Sequence, residues 1–427
     1  MQSSAPTTVD FDLINRERFS VLHLDHTRAA GGAEIALRRI ASRAKTWNPI
    51  IAVPKGAAGI ENDAFNEGIS GGAKIEEIGP RQMFGASNAS IVGLARFGAG
   101  VVGQAFALRF SASFRDAAVV HANTSRSGLY GALACVGTRK PLVVHLRDMV
   151  DEPSLGRIGL LLFRRLVLPR ANAIIGNSRS TMESAVKWSG KGAVVTVIPS
   201  PAGIDARMSQ SLINDRVESI AMVARIDPWK GQRLLIEAFA DVFKGTKVRL
   251  RLAGAPAFGH GEFYEELKCL VTKLGIEGNV DFLGHVSNVK EVIAAADICV
   301  QASIRPEPLG QNVLQYLAAG KPTIVANEGG PTEWVYHDKN GLHFIARDRE
   351  SLASVMRQLS SDTRLRRRLA RGTQQFQLVP TDSEVTQRHG VLFHAIGKYN
   401  RLTGNSENVI PDLTFDERYG IPRWTIT

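Results

Sequence analysis

The chain has 427 residues, of which 44% are hydrophobic and 22% charged, a composition that excludes a disordered or collagen-like protein. This length predicts two or three domains and excludes a single small disulfide-stapled module. The net charge of +11 lies mostly in the first half, because residues 1–200 hold 24 Lys and Arg against 15 Asp and Glu, a net of +9.

Hydropathy and cysteine spacing narrow the possible classes of protein further. No apolar run approaches the roughly 18 residues that a membrane span needs, and the first twenty residues lack the apolar centre of a secretory signal. We therefore expect a cytoplasmic protein. Cys135, Cys269 and Cys299 lie far apart without CxxC spacing, which predicts buried thiols and no disulfide framework or zinc site.

Short β-rich runs alternate with longer helical patterns along the whole chain, as in parallel-sheet α/β domains. In the first series, strands are predicted at 19–24, 49–53, 117–121, 142–146, 173–176 and 194–198. In the second series, they are predicted at 218–223, 248–253, 279–283, 297–300, 323–326 and 342–345. The predicted fold class is therefore α/β, with two Rossmann-like, doubly wound parallel-sheet domains facing across a cleft.

The boundary between the two predicted domains lies near residue 200, where two prolines and a glycine within 199–203 interrupt the pattern. We predict an N-terminal domain over 1–200 and a C-terminal domain over 201–380. In open parallel sheets, ligands bind beyond the carboxyl ends of the strands, where helix N-termini direct amides toward anions. The candidate functional residues are therefore those at strand ends.

The first strand runs into Gly31 and Gly32, which precede a helical pattern. Two glycines there let the backbone approach a phosphate closely, although a tight βα turn without a ligand would have the same sequence. The strand at 142–146 ends with polar groups, among them His145. A buried, hydrogen-bonded histidine is the ordinary alternative to a ligand-binding one.

The first βα turn of the second series carries two cations, Arg225 and Lys230, five residues apart. Two cations at this spacing can converge on a diphosphate and neutralise charge on a departing group. The alternative is a pair of solvated loop charges. Further along, Glu307 precedes a helix, and Gln315 lies two helical turns later on the same face, which suits a nucleotide sugar; a capped surface helix is the alternative.

Three patterns imitate functional motifs. Residues 98–103 satisfy GxGxxG, but no strand precedes them, so we reject a dinucleotide site there. The Asp10-Phe11-Asp12 triplet precedes the first strand and is interpreted as a solvated tail rather than a metal-nucleotide site. Residues 157–170 predict a basic amphipathic helix, either interfacial at a membrane or facing the core with exposed arginines.

The basic excess of the first half favours an anionic surface as a partner. No acidic residue lies between Glu77 and Asp116. That stretch carries Arg81, Arg96, Arg109 and Arg115. Because no nucleic-acid motif accompanies these arginines, anionic lipid headgroups are the expected partner and nucleic acid is not.

Four segments taken together resemble the family 4 glycosyltransferases. They are Gly31-Gly32-Ala33-Glu34, the turn from Arg225 to Gly231, Glu307-Pro308-Leu309-Gly310 with the later Ala318-Ala319-Gly320-Lys321-Pro322, and Asn340-Gly341. The match spans most of residues 19–345. The resemblance implies the glycosyltransferase B (GT-B) fold, a nucleotide-sugar donor bound by the second domain, an acceptor on the first, retention of anomeric configuration, and no metal or cofactor. It also implies that a helix at 381–402 crosses back to the first domain, before an unassigned tail at 403–427.

The same resemblance assigns roles to single residues. Arg225 and Lys230 would grip the donor diphosphate, His145 would touch the donor sugar near the reacting carbon, and Glu307 would bind sugar hydroxyls. The remaining residues predicted to bind the donor are Gly31, Gly32, Gly310, Gln311, Asn312 and Gln315. Gln315 stands where the family has its second glutamate. The loss of a charged acceptor predicts donor binding weakened by about tenfold.

The function predicted from the sequence is that of a metal-independent retaining glycosyltransferase of the hexosyltransferase type. It would move a sugar to a lipid-linked or oligosaccharide acceptor in cell-surface polysaccharide or glycolipid synthesis, at the cytoplasmic face of the plasma membrane. Gln315 and the basic first domain leave open a catalytically silent nucleotide-sugar-binding protein or scaffold. A nucleotide-sugar epimerase on the same fold is a third interpretation.

Overall fold

The computed structural model describes residues 18–56, 64–65, 72–81, 91–205, 213–256, 259–376 and 379–402. The chain divides into two compact units. The N-terminal unit comprises Met1–Pro201 and Asp382–Thr427, and the C-terminal unit comprises Ala202–Thr381. The Asp10-Phe11-Asp12 triplet and the tail at 403–427 lie outside the described residues.

The strands of the two units form two separate sheets, and every recorded strand pairing is parallel. The N-terminal strands are β1 (Phe19–Leu24), β2 (Trp47–Val53), β3 (Lys74–Glu77), β4 (Val119–Ala122), β5 (Leu142–Leu146), β6 (Ala173–Gly176) and β7 (Val194–Val197). The C-terminal strands are β8 (Ser219–Val223), β9 (Arg249–Ala253), β10 (Val280–Gly284), β11 (Ile298–Gln301), β12 (Thr323–Ala326) and β13 (Leu342–Phe344). The sheet orders are β3-β2-β1-β4-β5-β6-β7 and β10-β9-β8-β11-β12-β13.

Helices connect most of the strands. They are α1 (Gly32–Ser42), α2 (Ile91–Arg109), α3 (Ala112–Asp116), α4 (Ser125–Ala134), α5 (Glu152–Leu162), α6 (Arg179–Ala185), α7 (Gln232–Phe243), α8 (Gly261–Leu274), α9 (Val289–Ala294), α10 (Gln311–Ala318), α11 (Arg349–Ser361), α12 (Thr363–Phe376) and α13 (Asp382–Leu402). Several begin at a residue whose side-chain oxygen accepts a hydrogen bond from the first turn, as Thr124 and Ser178 do. None of the helices in the described part of the chain is both long and apolar enough to cross a bilayer.

The strands are apolar on both faces because helices cover both sides of each sheet. On β1, Leu22 and Leu24 belong to one core cluster, whereas Val21 between them belongs to another. Helix α13 packs on the second of these faces through buried residues such as Leu392 and Phe393. The two-sheet α/β fold class predicted from the sequence is confirmed.

Three predictions about local structure need comment. All twelve predicted strands are present within two residues at either end, but β3, an edge strand with the sequence Lys-Ile-Glu-Glu, was not predicted. Residues 98–103 lie inside α2 and not in the strand-to-helix turn that a dinucleotide fingerprint needs. The buried-thiol prediction holds for Cys299 but is wrong for Cys269, which is exposed on α8; Cys135 is half-buried.

The basic helix predicted at 157–170 is only partly regular. Helix α5 gives way to a π-helical turn at Phe163–Val167 and a 3-10 turn at Leu168–Arg170. Phe163 and Val167 are buried, which agrees with the core-facing interpretation, whereas Ile158 and Leu161 on α5 are 48% and 56% exposed. The segment therefore faces the core at its end and solvent at its start.

Four fully buried histidines lie between the N-terminal sheet and α13: His23 on β1, His121 on β4, His145 on β5 and His389 on α13. Trp47 Nε1 donates to His23 Nε2 at 3.1 Å, and His23 Nδ1 lies 2.9 Å from His121 Nδ1. Burial lowers the pKa of His23 and of His389 to about 3, and it lowers the pKa values of His121 and His145 well below the ordinary range. All four imidazoles are therefore neutral in the folded protein at neutral pH.

The histidine cluster predicts acid sensitivity. Because the folded-state pKa values are depressed, the unfolded chain binds more protons below about pH 6.5 and folding stability falls as the pH falls. Each histidine contributes about 1.4 kcal/mol between pH 7.5 and pH 5.5, so the free energy of unfolding should drop by up to about 5 kcal/mol. Urea denaturation at both pH values measures this change.

The control is His389→Phe, which removes one titrating group from the cluster. This variant should show a smaller pH dependence than the wild type, by about 1.4 kcal/mol over the same interval. Equal stability of the wild-type protein at pH 7.5 and pH 5.5 would contradict the interpretation.

Candidate active site

The predicted cations and Glu307 lie at the carboxyl edge of the C-terminal sheet. The segment after β8 contains Arg225 and Lys230, and the segment after β11 contains Glu307. Strands β8 and β11 are hydrogen-bonded neighbours, so the two segments leave the sheet side by side. Parallel strands bring their carboxyl ends to one edge, which is why residues 77 positions apart meet here.

Lys230 and Glu307 form a close ion pair. Lys230 Nζ donates to Glu307 Oε2 at 2.7 Å and to Oε1 at 2.9 Å, and the two side chains are 18% and 12% exposed. Ser303 Oγ donates to Glu307 Oε2 at 2.9 Å, and Lys230 Nζ lies 3.9 Å from the ring centroid of Trp229. The structure thus brings together a predicted phosphate-binding cation and the predicted sugar-binding acid.

Arg225 lies next to Asp227, and a guanidinium nitrogen of Arg225 donates to Asp227 Oδ2 at 3.2 Å. Asp227 is buried, and its Oδ1 accepts from the Trp229 amide at the start of a 3-10 turn, Pro228–Lys230. His260 Nε2 lies 3.7 Å from Asp227 Oδ2. Asp227 therefore orients Arg225 and the turn that carries Lys230, a positioning role that sequence analysis did not assign.

Two glycines let the backbone form this edge. Gly231 follows Lys230 with φ of 80°, and a Cβ there would overlap the carbonyl oxygen of Ala302. Gly310 is the N-cap of α10 with φ of 76°, and a Cβ there would lie 2.9 Å from the Pro331 ring. Glycine is required at both positions because the left-handed conformation and the close approach each exclude a side chain.

Helix α10 carries the other predicted donor-binding residues. Gln311 is its first residue. Asn312 Nδ2 donates to the Val223 carbonyl at 3.0 Å, which ties the helix to the end of β8. Gln315 Nε2 donates to the Ala202 carbonyl at 2.8 Å. A glutamate at position 315 could not make this bond, so the amide has a partner that the family's usual residue would lack.

In the N-terminal unit, Gly31 and Gly32 lie at the start of α1 as predicted. Glu34 in the first turn is 5% exposed, and its Oε2 occupies the space that a Cβ on Gly31 would need. The absence of a side chain at Gly31 thus accommodates the carboxyl group of Glu34. Phosphate contact at Gly31 and Gly32 remains a prediction.

A polar network lies beside Glu34 at the ends of the neighbouring strands. Asn123 Nδ2 donates to Asp25 Oδ2 at 2.7 Å, and Arg147 donates to Asn123 Oδ1 at 2.6 Å. A second Arg147 nitrogen donates to Ser200 Oγ at 2.6 Å. Asp25, Asn123 and Arg147 are each at least 93% buried. Sequence analysis did not select them, although Asp25 and Arg147 directly follow predicted strands and Asn123 lies two residues after one.

His145 lies on β5 near the end of the strand, as the sequence predicted, but its side chain lies among other histidines. Its side chain is fully buried between His121 and His389, whose ring centroids lie 5.6 Å and 5.4 Å away. Neither of its ring nitrogens has a hydrogen-bond partner among the described residues. Because its imidazole lies inside the cluster under α13, this placement does not support the predicted contact with a donor sugar.

One group in the described part of the chain could supply three metal ligands. An oxygen of Asp25, a ring nitrogen of His26 and an oxygen of Glu34 all lie within 4.8 Å of one another. His26 Nδ1 is also 3.0 Å from Thr124 Oγ1, and Asp25 Oδ1 accepts from the His26 amide at 2.7 Å. The expectation of a metal-independent protein stays a prediction.

Comparison with known proteins identifies the class. Two parallel, doubly wound sheets define the GT-B fold, and solved glycosyltransferases share it. A complex of Anabaena Alr3699/HepE with UDP-glucose gives a TM-score of 0.71 at 25% identity, covering 88% of this chain and 100% of that one. Sucrose-phosphate synthase from Thermosynechococcus elongatus gives 0.73 at 18% identity, covering 90% and 100% of the two chains.

Family models match both units. Residues 204–376 match the model for glycosyl transferases group 1, and residues 80–201 match the glycosyl transferase 4-like domain. The chain belongs to the family 4-type GT-B glycosyltransferases. LpsE of Rhizobium meliloti, a lipopolysaccharide core biosynthesis glycosyltransferase, is 32% identical over 189 residues, 43% of this chain and 48% of that protein. The chain spans less than half the length of the curated relatives that it matches most strongly.

Gly231→Ala should destabilise the protein strongly, because the new Cβ meets the Ala302 carbonyl and φ is 80°. We expect a loss of about 3 kcal/mol or more in the free energy of unfolding. Urea denaturation of the variant and the wild type measures the difference.

Gly245→Ala provides the matched control, since φ is also 80° there and no atom lies within 4 Å of the added Cβ. It should lose only about 1 kcal/mol. Equal losses in the free energy of unfolding for both variants would show that the close approach to Ala302 does not contribute to the effect.

Proposed function

We propose that this protein is a metal-independent, retaining glycosyltransferase of the hexosyltransferase type, with a nucleotide sugar as donor. The acceptor is a lipid-linked or oligosaccharide molecule, and the product contributes to cell-surface polysaccharide or glycolipid synthesis. The observation that carries the proposal is the Lys230 and Glu307 ion pair at the carboxyl edge of the C-terminal sheet, with Arg225 on the same loop as Lys230.

The ion pair supplies a cation for the diphosphate of a nucleotide sugar and a carboxylate for its sugar hydroxyls. When a diphosphate approaches, its oxygens compete with Glu307 for Lys230, and Arg225 adds a second cation. Glu307 then accepts hydrogen bonds from sugar hydroxyls, and the N-terminal end of α10, which follows Gly310, attracts the anionic diphosphate. Gln315 binds the ribose through its remaining acceptor oxygen, since its nitrogen donates to Ala202.

In the proposed reaction, one bond to the anomeric carbon breaks and another forms. The glycosidic bond to the diphosphate breaks, and the acceptor hydroxyl oxygen forms a bond to the anomeric carbon on the same face. The acceptor proton passes to an oxygen of the leaving phosphate, so no separate base is required. Arg225 and Lys230 stabilise the charge that develops on the diphosphate, which is electrostatic catalysis. These cations perform the neutralisation for which other transferases use a metal ion.

The names of related proteins support the pathway class. LpsE acts in lipopolysaccharide core biosynthesis. A Mycobacterium tuberculosis relative, 29% identical over 174 residues, is a GDP-mannose-dependent phosphatidylinositol monomannoside mannosyltransferase. HepE was solved with UDP-glucose. The first two names each include a glycolipid, and the last two each include a nucleotide sugar.

A membrane-facing surface is part of the proposal. The second half of α2 and the residue after it expose an apolar stripe, with Val102, Phe106 and Phe110 each more than 60% exposed. Arg96 and Arg115 are exposed in or just after the same helix. An apolar stripe flanked by arginines suits binding in the headgroup region of an anionic bilayer. We therefore place the enzyme at the cytoplasmic face of the plasma membrane.

The activity is tested by release of nucleoside diphosphate from UDP-, GDP- and ADP-sugars with lipid-linked and oligosaccharide acceptors. Lys230→Ala should lower kcat/KM by at least about a hundredfold, because it removes a cation from the departing diphosphate and leaves Glu307 unpaired. Lys247→Ala, which changes an exposed lysine of the same unit, is the control and should leave the rate unchanged.

Other outcomes of this assay identify the alternatives. Donor binding without turnover on any acceptor would make the protein a nucleotide-sugar-binding scaffold. Conversion of the donor sugar without an acceptor would make it an epimerase. The proton NMR coupling constant of the product's anomeric proton decides between retention and inversion.

Membrane association is tested by vesicle co-sedimentation. Binding should require anionic lipid and fall about thirtyfold in the Arg96→Gln, Arg115→Gln double variant, since each arginine near the surface contributes about 1 kcal/mol. Arg109 is left intact, because it donates to the Ala134 carbonyl at 3.0 Å and supports the end of α4. Equal binding to neutral and anionic vesicles would contradict the proposal.

A further inference from the structure

Arg347 has a backbone conformation that is uncommon for a residue other than glycine. Its φ is 68°, in the left-handed region, and it lies three residues after β13, the strand at one edge of the C-terminal sheet. This region is unfavourable for residues that carry a Cβ, and such a conformation persists where surrounding contacts fix it. The contacts of the Arg347 side chain therefore indicate what the conformation serves.

The side chain of Arg347 joins the segments that follow the other two strands on this side of the sheet, β11 and β12. Its two terminal nitrogens donate to the two carboxylate oxygens of Glu328, after β12, at 2.6 Å and 2.9 Å. One of them also donates to the Ile304 carbonyl, after β11, at 3.2 Å. We call these contacts the Arg347 bridge. The planar fork of a guanidinium suits them, whereas a lysine ammonium is a single point charge.

One side of the Arg347 bridge leads to Lys230. The Ile304 amide donates to the Trp229 carbonyl at 2.8 Å, and Trp229 directly precedes Lys230. The carbonyl of Ile304 accepts from Arg347 and its amide donates to Trp229, so this residue connects the two. Arg347 is therefore linked to the turn that carries the predicted phosphate-binding cation.

The other side of the Arg347 bridge leads to Glu307. The Gly330 amide, two residues after Glu328, donates to the Glu307 carbonyl at 2.8 Å, and Gly329 pairs with Glu307 in an isolated parallel bridge. A Cβ on Gly329 would lie 2.7 Å from both the amide nitrogen and the carbonyl oxygen of Glu307. The two segments are thus in direct backbone contact, and Glu328 links Arg347 to the backbone of the predicted sugar-binding acid.

We propose that Arg347 and Glu328 are positioning residues that fix the separation between Lys230 and Glu307. The Lys230 and Glu307 ion pair joins the same two loops directly. A diphosphate that binds Lys230 breaks that pair, and the Arg347 bridge then keeps the loops in place. The inference rests on the proposed function, in which the cation and the carboxylate bind the diphosphate and the sugar of one donor and stay at a fixed distance while the glycosidic bond breaks.

Stability alone does not account for the Arg347 bridge. The side chains of Arg347 and Glu328 are 55% and 22% exposed, and exposed ion pairs contribute little to stability. Arg349 offers a comparison, since it forms a bidentate pair with Asp241 on α7 and is 45% exposed. Its hydrogen bonds to described residues do not reach the loops that carry Lys230 and Glu307. Arg349 is therefore a matched control for the loss of an exposed, paired arginine.

The first test measures amide exchange by NMR on the full chain, selectively labelled with ¹⁵N-isoleucine and ¹⁵N-glycine, without substrate. In Arg347→Ala, the Ile304 and Gly330 amides should exchange about tenfold faster than in the wild type, because their hydrogen bonds open more often. In Arg349→Ala, both rates should be unchanged. Arg347→Gly removes the same guanidinium but relieves the backbone, so it should resist urea at least as well as Arg347→Ala and still show the faster exchange.

The second test is kinetic, with the donor and acceptor that the activity assay selects. Because Arg347 does not contact the donor in this proposal, KM for the donor should stay within about twofold, whereas kcat should fall about tenfold in Arg347→Ala and in Arg347→Gly. A purely stabilising role would not produce this split at a temperature where all variants are folded. Arg349→Ala should keep the kcat of the wild type.

Three results would overturn the inference: unchanged exchange at Ile304 and Gly330 in Arg347→Ala, wild-type kcat in Arg347→Gly, or an equal loss of kcat in Arg349→Ala. Turnover by the wild type that Arg347→Ala leaves unaffected contradicts this inference and leaves the proposed function standing. If the wild type transfers no sugar, the proposed function is contradicted, and the exchange rates still decide whether Arg347 fixes the two loops.

Discussion

The ion pair between Lys230 and Glu307 is the interaction on which the C-terminal site depends. It exists because β8 and β11 are adjacent parallel strands whose following segments leave the same edge of the sheet. Gly231 makes the approach possible, since its missing side chain leaves room for the Ala302 carbonyl. In the ligand-free protein, each member of the pair neutralises the other, so neither charge is buried alone. In the proposed function, a donor diphosphate that binds Lys230 releases Glu307 for the sugar.

The strand edges of the two units differ in charge. The C-terminal edge carries cations close to the surface, with Arg225 36% exposed, and is suited to a diphosphate. The N-terminal edge buries Asp25, Glu34 and Arg147, and Asn123 links Asp25 to Arg147. Both edges lie at the carboxyl ends of parallel strands, where ligands bind in open sheets. The side chains at the two edges nevertheless differ in charge and in exposure.

Much of the fold and part of the site were predictable from local pattern. Runs such as Leu142–Leu146 and Thr323–Ala326 have the predicted bounds, because fully buried parallel strands read as continuous apolar segments. Strand β3 escaped detection, since an edge strand of mixed Lys, Ile and Glu has no such signal. Arg225, Lys230 and Glu307 were found because glycines and prolines around them marked strand-end loops.

The sequence by itself determined which residues follow strands, where glycines permit close backbone approach, and that two parallel α/β units exist, because these are properties of neighbouring residues. Only the tertiary structure determined which of these residues lie in contact. It joined Lys230 to Glu307, gave Gln315 a partner at Ala202, enclosed His145 among other histidines, and set Glu34 against Asp25. These pairings depend on strand order and helix packing, which bring together residues far apart in the chain.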